Sequence, residues 1–85
     1  MNPEKLLKQM RNAPQDVRFS DLEAVCRHFF GKPRQMGGSH QVYKTPWFGD
    51  PRINIQNSRG KAKRYQVITV LAAIEKLNAM EKEKH

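Results

Sequence analysis

Three consecutive residues, Gly38-Ser39-His40, are the part of this chain best placed to do chemistry. They sit in Gly37-Gly38-Ser39-His40-Gln41-Val42-Tyr43-Lys44, where a glycine turn opens a strand. A strand holds an imidazole firmly while leaving it near solvent, and a histidine exchanges protons close to neutral pH. Glycines let a ligand approach the backbone closely, and Ser39 adds a hydroxyl and an amide. The surrounding charge is one-sided. Residues 32–65 hold eight Lys or Arg and one acid, Asp50, a net +7 within a chain of net +8. Such a surface attracts phosphates. RNA suits the combination, because its 2′-OH can attack the adjacent phosphorus. A protein need only take that proton, supply one to the leaving oxygen or stabilise the developing charge. An imidazole, with a reference pKa of about 6.5, can fill either proton role. His40 is therefore the candidate general acid or base, with Gly38 and Ser39 positioning the phosphate.

The other candidates have plainer readings. His28 follows Arg27 on the polar side of a helix and reads as solvated. Cys26 lies on an apolar helical stripe and reads as core. No His/Cys/Asp/Glu cluster has metal-ligand spacing, so neither a metal nor a cofactor is expected. The run Ser58-Arg59-Gly60-Lys61-Ala62-Lys63-Arg64 leads into the last helix. Cations there oppose the helix macrodipole, whereas an anion at the same place would be held by both amides and side chains. Lys44, Lys61, Lys63 and Arg64 are accordingly the candidate RNA-binding residues. Trp47 and Phe48 either stack on bases or pack against the sheet edge.

The positioning elements follow from periodicity. Pro3 suits a first helical position, and Leu6, Leu7 and Met10 share a face, predicting a helix over 3–12 that Pro14 stops. Ser20 and Glu23 have capping-box spacing. Leu22, Val25, Cys26, Phe29 and Phe30 then form a helical stripe, closed by Gly31 and Pro33. Strands are predicted over 34–36, 40–45 and 52–56, joined by a hairpin turn at Gly37-Gly38 and a longer turn over 45–51. Residues 62–80 contain no Gly or Pro. Val67, Val70, Leu71, Ile74 and Leu77 predict a long helix there, with a frayed tail over 81–85. The order is α-α-β-β-β-α, an α+β fold with a three-stranded antiparallel sheet whose helices cover one face. His40 shares parity with Val42 and Lys44, which turns it toward the helices unless the strand begins with a twist or bulge.

Eighty-five residues make one domain over 1–85, with 1–18 as an N-terminal helix and connection. A sequence pI near 10.1 asks for an acidic partner, nucleic acid first. A single cysteine excludes an intramolecular disulfide. The N-terminus lacks the apolar run of a signal peptide and no segment reaches membrane-spanning length, so a cytoplasmic protein without a membrane role is expected.

The basic run before the last helix resembles the start of the last helix in double-stranded RNA-binding domains. Over residues 30–77 the chain resembles the HicA toxins of bacterial type II toxin–antitoxin pairs. Gly38-Ser39-His40, Val42-Tyr43-Lys44, Ile53-Asn54-Ile55, Gly60-Lys61 and the amphipathic last helix carry the likeness. The resemblance implies a double-stranded-RNA-binding-like fold and a metal-independent mRNA interferase with His40 as its catalytic histidine. It also implies a HicB-type antitoxin covering the site, with any DNA contact made through that antitoxin. Two positions depart from the family: Gln41 stands where many members have a second histidine, and Asn57 where a histidine often follows the third strand. The rival readings are a non-catalytic RNA-binding module of the same fold and a protein-interaction domain for an acidic partner.

Overall fold

The computed structural model describes residues 2–37, 40–47 and 52–83. Helix α1 spans Pro3–Asn12. Asn2 caps it, its Oδ1 accepting from the amides of Glu4 at 3.0 Å and Lys5 at 3.4 Å. Helix α2 spans Phe19–Phe30 and begins one residue before Ser20, so the predicted capping box does not form. The N-cap residue is Arg18, whose side chain makes no capping bond. A tertiary contact replaces it: the Phe19 amide donates to the Gly60 carbonyl at 2.9 Å. At the far end Gly31 adopts φ 82°, and its amide donates to the Arg27 carbonyl, closing the helix as predicted.

Strands β1 (Gln35–Gly37), β2 (His40–Tyr43) and β3 (Ile53–Ser58) form the expected antiparallel sheet. Gly37, read as a turn residue, is the last of β1 and pairs with His40. The rest of that predicted turn, together with Ser39, lies outside the described residues, as do 48–51 of the longer turn. A two-residue strand, β4 (Lys61–Ala62), extends the sheet beside β3. Ala62, the predicted start of the last helix, belongs to this strand for two reasons. Arg59 and Gly60 reverse the chain with φ 55° and 83°, the paired positive values of a tight hairpin turn. The Ala62 amide then donates to the Val17 carbonyl at 2.9 Å. Helix α3 therefore runs Arg64–Glu83, and its last residues occupy much of what read as a frayed tail.

All three helices lie on one side of the sheet. Tyr43, Ile53, Ile55 and Ala62 project into a core with Leu22, Val25, Cys26, Val67, Val70 and Ile74. α1 adds Leu7 and Met10. Among the described residues no helix is long and apolar enough to cross a membrane.

The β3–β4 turn anchors both β4 and the start of α2, so its backbone is a sensitive point. A Cβ at Gly60 would meet nothing within 4 Å. The cost of Gly60→Ala is then the left-handed backbone alone, about 1–2 kcal/mol. Urea unfolding should register that loss, and Gly60→Asn should lose less, since asparagine tolerates this conformation better.

Candidate functional site

The inward side chains of β2 are Gln41 and Tyr43, both buried, while His40 is exposed and Val42 half-buried. The parity that would have turned His40 toward the helices is thus reversed. The cause is a chain of polar contacts. The Tyr43 hydroxyl donates to Gln41 Oε1 at 2.7 Å. Gln41 Nε2 donates to Glu23 Oε2 on α2. The Arg27 guanidinium stands 3.8 Å from that same oxygen. Every polar atom carried inward by β2's two buried side chains finds a partner, as burial requires.

On the open face, His40 pairs across the ladder with Gln56. The Gln56 amide donates outward to Gln66 Oε1 at 2.8 Å. Gln66 is a buried polar residue in the first turn of α3, and it takes over where β4 has ended. His40 is therefore one strand away, about 4.8 Å, from a strand tied to the start of α3. That start carries Lys63, half-buried, and Arg64, exposed, with no acid in the first turn. Lys44 is not part of this grouping. It is exposed beyond the opposite end of β2, four residues and about 13 Å from His40. Lys61 is engaged elsewhere, its Nζ 2.7 Å from Asp16 Oδ1. The hydrogen bond and charge of Lys61 hold the Asp16 carboxyl below its usual range. Gly38 and Ser39 lie outside the described residues.

Under the same end of the sheet is a cleft of about 460 Å³. Arg18, Phe19 and Ser20 of the α2 start line it, with Glu23, Gln41 and Asn57. Neither Glu23 nor Asn57 stood out as a site residue in the sequence. Glu23 was assigned to a cap, and Asn57 attracted notice only as a departure from a family pattern. Trp47 packs at the other end of the molecule beneath Lys76, whose Nζ lies 4.5 Å from the ring centroid, so packing accounts for it. His28 is exposed beside Phe29 and Cys26 is fully buried, as their helical positions predicted. No group of three or more His, Cys, Asp or Glu that could hold a metal ion occurs among the described residues.

Comparison with protein-family models, curated proteins and solved structures found no match to this chain.

Two buried acids make stability pH-dependent. Burial, and secondarily the Glu23 charge, push the Cys26 thiol from 9.0 up to about 12. Burial likewise pushes the Tyr43 phenol from 10.0 to about 12. Folding raises both, so the stability they contribute is complete below the unfolded values and is lost as pH rises through the folded ones. Urea midpoints should therefore fall from about pH 9 toward pH 12. In Tyr43→Phe the decline above pH 10 should be shallower. An equal slope in the two proteins would show that Tyr43 ionises as freely folded as unfolded.

Proposed function

We propose that this protein is a metal-independent endoribonuclease acting on mRNA, the toxin of a HicA-type toxin–antitoxin pair, built on a double-stranded-RNA-binding-like fold. The observation that carries the reading is His40. It is an exposed imidazole at the start of a rigid strand, on the uncovered sheet face, one strand from the link to the cationic start of α3. A sheet with helices on one side only leaves such a face free for a polyanion.

In the proposed reaction the 2′-oxygen bonds to phosphorus as the bond from phosphorus to the 5′-oxygen breaks. The products are a 2′,3′-cyclic phosphate and a 5′-hydroxyl. One proton leaves the 2′-OH and one reaches the 5′-oxygen. His40 carries one of these transfers as general base or general acid, and water carries the other. Lys63 and Arg64 hold the phosphate backbone, with Gly38 and Ser39 assigned to the scissile phosphate. A HicB-type antitoxin of complementary charge would inhibit by covering His40 and this basic start, with fast, salt-sensitive association. The cell compartment assigned is the cytoplasm, where mRNA is the substrate.

His40→Ala should reduce cleavage of a purified transcript by about 10²–10⁴-fold, the usual worth of a general acid or base. Circular dichroism should be unchanged, since the side chain is exposed. Cleavage by the native chain should persist in EDTA. Equal cleavage by the two proteins would remove the catalytic assignment. Binding of RNA by the native chain without any cleavage would leave a non-catalytic RNA-binding module.

The charge assignments separate by salt dependence. Each lost phosphate contact lowers the log–log salt slope by roughly 0.7 for single-stranded RNA. Lys63→Ala with Arg64→Ala should therefore lower it by about 1.4. Lys61→Ala should lower it less, because Asp16 already neutralises Lys61. A slope unmoved by the double substitution would show that the start of α3 does not touch the RNA backbone.

A further inference from the structure

The cleft beneath the end of β2 and β3 is larger and more polar than the proposed phosphate chemistry requires. Its volume of about 460 Å³ falls in the range of about 300–1,000 Å³ that holds small ligands. We infer that it binds a single guanine base of an RNA strand, with Glu23 reading the base edge and Asn57 assisting. This names the base specificity of the nuclease proposed above and rests on that reading.

The hydrogen-bonding inventory selects the base. Glu23 Oε2 accepts from Gln41, and among the described residues Oε1 accepts from none. A carboxylate has about four acceptor positions, so beside Gln41 and the Arg27 guanidinium at 3.8 Å the Glu23 carboxylate keeps positions for a ligand's donors. Gln41, held in turn by Tyr43, locks the carboxylate in place before any ligand arrives. A fixed carboxylate presents two parallel acceptors and no donor. Guanine alone among the four RNA bases offers two adjacent donors on its pairing edge, N1–H and the N2 amino group. Adenine and cytosine place a ring-nitrogen acceptor beside their amino donor, and uracil flanks its one N–H with two carbonyls. Each of these sets an acceptor against a carboxylate oxygen, a repulsion that discriminates as strongly as the attraction does.

Asn57 completes the match. Its Oδ1 accepts from the Gly60 amide at 2.6 Å, which orients its Nδ2 group as the remaining donor. A guanine held by Glu23 carries its O6 acceptor next to N1, where such a donor is needed. Phe19, buried to 8% exposure, supplies an apolar wall. At the rim the Arg18 side chain is 74% exposed and only partly engaged by Asp21 at 3.4 Å, leaving guanidinium donors for a phosphate or a base plane. The cleft lies at the same end of the sheet as His40. Gln41, which lines it, directly follows His40 in β2, so the two side chains lie on opposite faces of one sheet end. A strand with its base in the cleft must round that sheet end to bring its backbone to His40.

The test is titration of the native chain with GMP, AMP, CMP and UMP, followed by amide NMR. The four carry the same phosphate, so differences report the base. GMP should bind more tightly than the other three by roughly tenfold or more, with shifts centred on Ser20, Glu23, Gln41 and Asn57. Glu23→Gln should abolish the preference. Because that substitution also disturbs Gln41, Asn57→Asp serves as a second variant: it keeps an oxygen for the Gly60 amide while removing the Nδ2 donor, and it should weaken GMP selectively. Equal binding of the four nucleotides, no binding, or a guanine preference that survives both Glu23→Gln and Asn57→Asp would overturn the inference. RNA cleavage alongside equal nucleotide binding would reject the guanine site and leave the nuclease standing. Guanine-selective binding without cleavage would do the reverse.

Discussion

Among the described residues Tyr43 is the largest side chain with no solvent exposure. Its hydroxyl must carry a partner into the interior, because an unpaired buried polar group costs about 1–3 kcal/mol. Gln41, two residues earlier on the same face of β2, supplies the acceptor and passes its own demand to Glu23 on α2. That chain fixes which way the strand faces. A slip of one residue would move His40 and Val42 inward and expose Tyr43. The outward position of His40 is thus a consequence of where Tyr43 can be satisfied. The same contacts immobilise the Glu23 carboxylate at the edge of the cleft, so one polar chain positions groups on both sides of the sheet.

The second organising constraint is backbone pairing around Gly60. Its carbonyl receives the Phe19 amide and its amide is held by Asn57. The short β4 strand adds the Ala62–Val17 bond. These contacts draw the α1–α2 connection, the β3–β4 turn and the starts of α2 and α3 to one end of the sheet, the end where β2 begins. Charge is distributed unevenly over that end. Asp16 answers Lys61, whereas Lys63 and Arg64 stand at the start of α3 with no acid in its first turn. Unfavourable interaction with a helix dipole costs about 0.3–1 kcal/mol per charge. An arrangement that accepts this cost is one that an incoming anion relieves.

Much of this fold was legible in the sequence. The stripes Leu22-Val25-Cys26 and Val67-Val70-Ile74, the alternation of Ile53 and Ile55, and the stops at Gly31 and Pro33 are local patterns, and they fixed the element order because burial follows periodicity. The net positive middle segment and the candidacy of His40 were legible for the same reason: residue type and spacing are local properties. What the chain alone left open depended on contacts between distant residues. Ser20 and Glu23 have the spacing of a helix cap, yet a carbonyl some forty positions away starts the helix instead and releases Glu23 to bind Gln41. Ala62 reads as helix but pairs as strand, because the turn at Arg59-Gly60 and the Val17 carbonyl outcompete a weak local propensity. The facing of β2 was undecidable because both of its residue sets are mixed polar and apolar. Only the position of Glu23 over the sheet made Gln41 and Tyr43 the buried pair. Sequence determined the three helices and the first three strands, since their burial patterns are set by neighbours along the chain, whereas β4 needed a distant partner. Tertiary structure decided which polar side chains meet, since donors such as Gln41 Nε2 and the Gln56 amide find their acceptors on other elements.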